Sequence, residues 1–343
     1  MKHLLNTLYV TSEDVYLSLE GENVVARRDS EILARYPLHT LQNIVMFSYS
    51  GASPALMGTC ANKGIGLNFC TPRGKFLART EGASFGSVLL RRQQYRVADD
   101  EKKSCLIART MIAGKIYNAR WSMERTLRDH RMRVEETVFE NAIEILKRQI
   151  SMAVETQSLD TLRGIEGVAA SAYFGAFNQM ILRDQEAFSF KGRNRRPPLD
   201  RVNAMLSFAY SLLTSECASA LSAAGLDAYV GFMHRDRPGR TSLALDLMEE
   251  LRPIMADRFV LTAINNRVIS PSDFVEEEAG AVRLTNDGRK RFLAAWQERK
   301  KETIVHPFLK EKMAWGLVPH IQAMLLARHL RDDLDAYPPF LWK

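Results

Sequence analysis

The feature that most limits what this chain can fold into is a change of period near residue 88. From residue 6 to about residue 80, short and often alternating runs rich in β-branched and aromatic residues follow one another: "TLYV", "VYLSL", "VVAR", "EILARYPL", "IVMFS" and "IGLNFC". Turn-forming residues separate them, with "EGEN" at 20–23 reading as a hairpin turn, "SGASP" at 50–54 as a loop and "TPRGK" at 71–75 as another turn. The small-residue stretch "EGASFGS" at 81–87 reads as a linker, and from residue 88 to 150 apolar positions recur at three- and four-residue steps, the spacing of long helices. Helical texture then continues, broken by "GRNRRPPLD" at 192–200, "HRDRPGR" at 234–240 and the stretch at 271–288. Within the last, "AVRLTNDGRKRF" reads as a short hairpin turning at Asn286 to Gly288. The expected architecture is α+β, with a small, sandwich-like N-terminal β-sheet domain over residues 1–84 and a larger all-α helical domain over residues 85–343.

A chain of 343 residues has room for about two such cores. Charged residues at 25% and hydrophobic residues at 46% exclude extensive disorder. Lys and Arg outnumber Asp and Glu by 47 to 40, a modest lean toward a polyanionic partner. Cys60, Cys70, Cys105 and Cys217 form no C-x-x-C pair and no zinc-type spacing, which fits reduced thiols in a cytoplasm. The start "MKHLLNTLYV" lacks the sustained apolar stretch of a secretion signal, so neither export nor membrane spanning is expected.

Chemistry concentrates in three stretches. In "GFMHRDRPGRTSLALDLMEELRP" at 231–253, Thr241 or Ser242 can cap a helix that is expected to stop near Arg252, ahead of Pro253. Asp246, Glu249 and Glu250 stand at i, i+3 and i+4 on that helix, and His234 precedes it by a loop. Leu243, Leu247 and Leu251 mark the adjoining buried stripe, so the pattern fits either a core helix with a solvated acidic edge or part of a Mg2+ or Mn2+ site. In "LRGIEGVAASAYFGAFN" at 162–178, Glu166 is framed by Gly164 and Gly167 and leads into a buried, aromatic-rich segment; it fits a metal ligand or a group serving its helix N-terminus. In "FKGRNRRPPLDRVNAMLSFAYSLL" at 190–213, Lys191, Arg193, Arg195 and Arg196 fall on an irregular loop ahead of Pro197 and Pro198. Arg235, Arg237 and Arg240 form a second basic loop, and two such loops beside one acidic cluster point to a phosphodiester substrate. Tyr173 and Tyr210 read as aromatic packing in the helical core.

Together these stretches, with the "ARTMIAGKIYNAR" helix at 108–120 and the β-rich first 80 residues, resemble the CRISPR-associated adaptation integrase family, the first-numbered Cas protein. The ending "GLVPHIQAMLLARHLRDDLDAYPPFLWK" looks like its type I-C branch. The resemblance implies a homodimer, two of which assemble with a dimer of the small second Cas protein into a heterohexamer that inserts foreign DNA fragments into a CRISPR array. It also implies that Glu166, His234 and Glu249 hold the Mg2+ or Mn2+ ion in a catalytic helical domain, with Asp246 as a further catalytic position and Glu250 as a solvated neighbour. Arg193, Arg195, Arg196, Arg235, Arg237 and Arg240 are the expected DNA contacts. A structure-specific DNA nuclease or resolvase acting by hydrolysis, or a non-catalytic DNA-binding scaffold, are the alternatives.

Overall fold

A computed structural model describes residues 6–12, 14–72, 76–80, 82, 88–194, 196–278 and 280–343. The chain forms two compact units. The first comprises Met1–Phe85 together with Leu293–Glu302 and Ala314–Leu317, and the second holds the remaining residues. The expected boundary at 84/85 and most of the expected linker lie outside the described residues.

In the first unit, β1 (Asn6–Val10), β5 (Leu41–Phe47), β6 (Gly66–Cys70) and β7 (Phe76–Arg79) form one sheet in the order β1-β5-β6-β7. β2 (Tyr16–Glu20), β3 (Asn23–Arg28) and β4 (Glu31–Pro37) form an antiparallel meander, with Gly21 at φ 57° in the expected "EGEN" turn. Leu17, Val24 and Leu38 meet Ile44, Met46 and Leu67 in a core shared by both sheets, the sandwich-like arrangement that the alternation predicts.

The reading of this region as strands and loops missed one helix, α1 (Pro54–Lys63). β5 and β6 pair in parallel, so the chain must cross over between them. The Ser53 side chain accepts from Leu56 N to start the crossover helix, Pro54 sits in its first turn, and Gly64 in the left-handed region ends it. Leu56 and Cys60, one turn apart, bury its inner face.

The second unit contains α2 (Val88–Ala98), α3 (Glu101–His130), α4 (Glu136–Glu155), α5 (Leu159–Phe177), α6 (Arg201–Ala223), α7 (Ser242–Leu251), α8 (Arg258–Asn265) and α10 (Val318–Leu330), with α9 (Asn286–Lys301) reaching into the first unit's segments. α3 runs through its middle and packs on α4, α5 and α7. Its buried face carries small and polar residues, Gly114, Lys115, Asn118 and Ser122, besides Met111 and Ile116. At Gly114 a Cβ would lie 3.2 Å from Glu250 Cβ and 3.1 Å from Pro339 Cβ, so a glycine is what lets α7 and the C-terminal segment close on α3.

Three expectations need correction. The unit is not purely helical, since β8 (Phe274–Glu276) pairs with β9 (Val282–Leu284) and β10 (Thr303–Val305) with β11 (Lys312–Ala314). The hairpin expected to turn at Asn286 to Gly288 turns instead near Gly280, while Asn286 opens α9, whose Gly288 N–H is capped by the Thr285 hydroxyl at 3.0 Å. Pro253 does not stop the helix begun by α7. The chain widens into a π-helical stretch, Arg252–Asp257, in which Arg258 N reaches back to Pro253 O before α8 continues. A proline has no N–H for the residue four positions earlier, and the wider turn accommodates its ring without ending the rod.

Candidate active site

α3, α5 and α7 each bring one charged side chain to a common point. Lys115, on the buried face of α3, places its ammonium against Glu166 Oε1 of α5 and 2.7 Å from Glu249 Oε2 of α7. The Arg252 guanidinium lies 2.8 Å from Glu249 Oε1. Burial pushes the Glu249 carboxyl up, but Arg252, Lys115 and His234 outweigh it and hold the group down at about 2. The Glu166 side chain is 26% exposed and that of Glu249 6%, so the site opens to solvent on the α5 side.

His234 is fixed from below. Asp246, on α7 and buried, accepts from the backbone N–H of Phe232 (2.6 Å), Met233 (3.0 Å) and His234 (3.0 Å), and its Oδ1 lies 2.6 Å from His234 Nδ1. An ionised carboxylate can only accept, so the Nδ1–H of His234 donates to Asp246, which leaves Nε2 as the ring nitrogen turned away from it. This is the carboxylate–histidine arrangement that orients a metal-binding imidazole. Gly231 makes it possible, because a Cβ there would stand 2.8 Å from Asp246 Oδ2.

The helix carrying Asp246 and Glu249 starts without the side-chain cap expected from Thr241 or Ser242. Ala228 O takes the N–H groups of Leu243 and Ala244, and the Ser242 hydroxyl donates to Arg235 O. Glu166 lies in the third turn of α5, which begins at Leu159 and is capped by Ser158, so it does not serve the helix N-terminus.

Glu250 is not a solvated neighbour. It is fully buried, facing away from Glu249 toward α10 and the C-terminal segment. It accepts from Tyr337 Oη, from Gln322 Nε2 (2.8 Å) and from Phe340 N (3.0 Å). Burial raises its carboxyl to about 7 against those hydrogen bonds. Asn118 joins the same elements by donating to Glu250 O and Phe340 O, both at 2.7 Å.

Tyr173 is buried among aromatic rings, as expected, and Tyr210, half-buried, does more than pack. The Tyr210 hydroxyl donates to Asp257 Oδ1 at 2.5 Å, and its ring lies beneath the guanidiniums of Arg252 (4.7 Å) and Arg193 (5.1 Å).

The expected DNA contacts are placed unequally. Arg193 is committed inward, donating to Asn203 Oδ1 (2.6 Å) and Ser207 Oγ (3.1 Å). Arg196, Arg235 and Arg237 are exposed, Arg240 is half-buried, and Arg195 lies outside the described residues.

Sequence reasoning did not single out Lys115 or Arg252 as part of the site. The signal was a lysine on the apolar face of the 108–120 helix, a position that requires a buried anion as partner. Among the described residues no three His, Cys, Asp or Glu side chains stand close enough together to hold a metal ion as placed, because Lys115 fills the space between Glu166 and Glu249. The donor chemistry nonetheless suits a hard divalent cation, with two carboxylates already sharing one positive charge and an imidazole whose free nitrogen is oriented.

Residues 8–298 match the family model of CRISPR associated protein Cas1. A CRISPR-associated endonuclease Cas1 of Chlorobaculum tepidum is 49% identical over the whole of both chains. Among solved structures, a casposase bound to integration product superposes with a TM-score of 0.82 at 20% identity, covering 98% of this chain and 94% of that one. A chain of a Cas6-RT-Cas1–Cas2 complex gives a TM-score of 0.80 at 21% identity, covering 98% of this chain and 36% of that longer one. The chain belongs to the Cas1 family of CRISPR-associated proteins.

Proposed function

We propose that this Cas1 chain is a metal-dependent DNA integrase and endonuclease of CRISPR adaptation, of the type I-C branch, which joins captured DNA fragments to a CRISPR array as new spacers. The observation that carries the reading is the pairing of Glu166 and Glu249 on one ammonium beside a His234 whose Nδ1 is tied to Asp246. Glu166, His234 and Glu249 would hold Mg2+ or Mn2+, with Lys115 giving way. Such an ion supplies Lewis-acid polarisation of a phosphodiester and a lowered pKa for a bound hydroxyl or water. Asp246 keeps His234 in the required tautomer, and Arg252 holds Glu249 ionised and oriented. Arg196, Arg235, Arg237 and Arg240 lie on loops suited to phosphates, and Arg195 is proposed with them from its place in the sequence. Arg193 acts by stiffening its loop against α6. A 3′-hydroxyl as nucleophile gives transesterification, and water gives hydrolysis; the relative's description as an endonuclease favours keeping both.

The solved relatives with Cas2 and with an integration product support Cas2 and double-stranded DNA as partners. We place the active form in the cytoplasm as a homodimer within a heterohexamer. Supporting it, Ile32, Leu33 and Tyr36 on β4 expose apolar surface along a sheet edge. All four cysteines are free thiols.

The test combines a labelled fragment, a repeat-containing target, Mn2+ and Cas2. Joined product is expected from the wild type and none from Glu166→Ala or His234→Ala variants that keep their dichroism spectrum and elution volume. Wild-type joining by either variant would refute the ligand assignment.

A further inference from the structure

Away from Lys115, the helical unit gathers a second set of cations. A cleft of about 440 Å³ is lined by Arg125, Arg133, Arg183, Arg258 and His130, with Asp129 as the acid among them. Ser122 and Asp129 line it too, and they follow Lys115 at seven-residue steps on α3. They therefore lie on the same stripe of that helix, about 10 and 21 Å further along its axis.

The arginines are more than complements to helix ends. α3 and α8 both finish at this cleft, and each contributes roughly half a negative charge through its terminal carbonyls. Asp129 and these helix ends stand against four guanidiniums. Several of the groups are held in place. Arg258 lies 4.2 Å from the centre of the Trp342 ring, Arg125 5.8 Å from the same ring, and Arg133 donates to Leu182 O at 2.8 Å. A cleft lined by more guanidiniums than carboxylates, with an exposed hydroxyl donor at Thr262, suits phosphate.

We infer that this cleft binds backbone phosphates of a nucleic-acid strand that also reaches the bond acted on at Glu166, His234 and Glu249. The inference rests on the proposed nucleic-acid function and adds a contact point separate from the two arginine loops.

The test uses Arg125→Ala/Arg183→Ala in the full chain. Both side chains are exposed, so the fold is expected to survive, and Arg125→Lys/Arg183→Lys is the charge-retaining control. Fluorescence anisotropy with labelled duplex and single-stranded DNA is read across salt concentrations. The alanine pair is expected to flatten the log–log salt slope by about 1.8 for duplex and about 1.4 for single strands, and to weaken duplex binding roughly sixtyfold at 0.1 M salt. The lysine pair is expected to keep most of the slope. An unchanged slope in the alanine pair overturns the inference. So does a result in which that pair loses thermal stabilisation by inorganic phosphate while its DNA slope stays at the wild-type value, since the cleft is then a site for free phosphate. If the wild type itself fails to bind DNA at low salt, the functional reading falls, and this inference with it.

Discussion

Replacing Lys115 with methionine keeps the unbranched stem and deletes the charge, which isolates what the ammonium does between the two carboxylates. The side chains of Lys115 and Glu249 are 10% and 6% exposed and stand 2.7 Å apart. At an effective dielectric constant near 20 the gross attraction at that distance is about 6 kcal/mol. Desolvation of both ions offsets much of it, and removing one partner of a buried pair costs about 3–5 kcal/mol. Arg252 still compensates Glu249 in the variant, which places the loss at the lower end, about 3 kcal/mol, or a fall in Tm of about 6–12 °C. A divalent ion reverses the comparison. Mn2+ at a hundred times its Kd returns about 2.7 kcal/mol to the variant, whereas in the wild type the ion must first displace the ammonium and returns less. Calorimetric melting with and without Mn2+ reads both effects. If Lys115→Met melts with the wild type in the absence of metal, or if Mn2+ raises both melting temperatures equally, Lys115 is not a stand-in for the cation.

Two further outcomes follow from the same geometry. Asp246→Asn turns one carboxylate oxygen into a donor facing N–H groups that need an acceptor, so metal affinity by calorimetry is expected to fall about 10–100-fold, together with about 2 kcal/mol of stability; unchanged affinity would remove Asp246 from its positioning role. Burial raises Asp257 from 3.8 to about 6, against hydrogen bonding from Tyr210 and the charge of Arg252. A carboxyl raised on folding favours the protonated state, so its contribution to stability is present below 3.8 and is lost as pH climbs through 6, by roughly 3 kcal/mol. Glu250 acts in the same direction up to about 7. Urea melts from pH 4.5 to 7.5 should show Asp257→Asn flattening this decline, and an equally steep decline in that variant would contradict the assignment.

The division into a β unit and a helical unit was legible because burial imposes its period on the sequence: Val24 and Ala26, or Leu243 and Leu247, are spaced by the element they belong to. α1 was hidden by its length, although Ser53, Pro54 and Gly64 were start and stop signals in plain view. Pro253 misled because a local rule about helix ends does not anticipate a π-helical turn held by tertiary packing. In the site, the spacing of Asp246 and Glu249 and the loop bearing His234 announced acidic chemistry. Lys115 was harder, since its partner Glu166 is 51 residues away. Glu250 sits beside Glu249 in sequence yet about 100° around the helix, where Phe340, 90 residues distant, decides its environment.

That last separation has a consequence for biosynthesis. Asn118 on α3 and Glu250 on α7 both have hydrogen bonds with Phe340, so the interior behind the candidate site stays open until that residue has left the ribosome. At about 5–20 residues per second, α7 waits on the order of ten seconds for its partner after its own synthesis. During that interval the carboxylate of Glu250 remains hydrated, without the partners Gln322, Tyr337 and Phe340 that it has in the folded chain. The seven strands of the β unit can pair early, but that unit too is completed only when Leu293–Glu302 and Ala314–Leu317 join it.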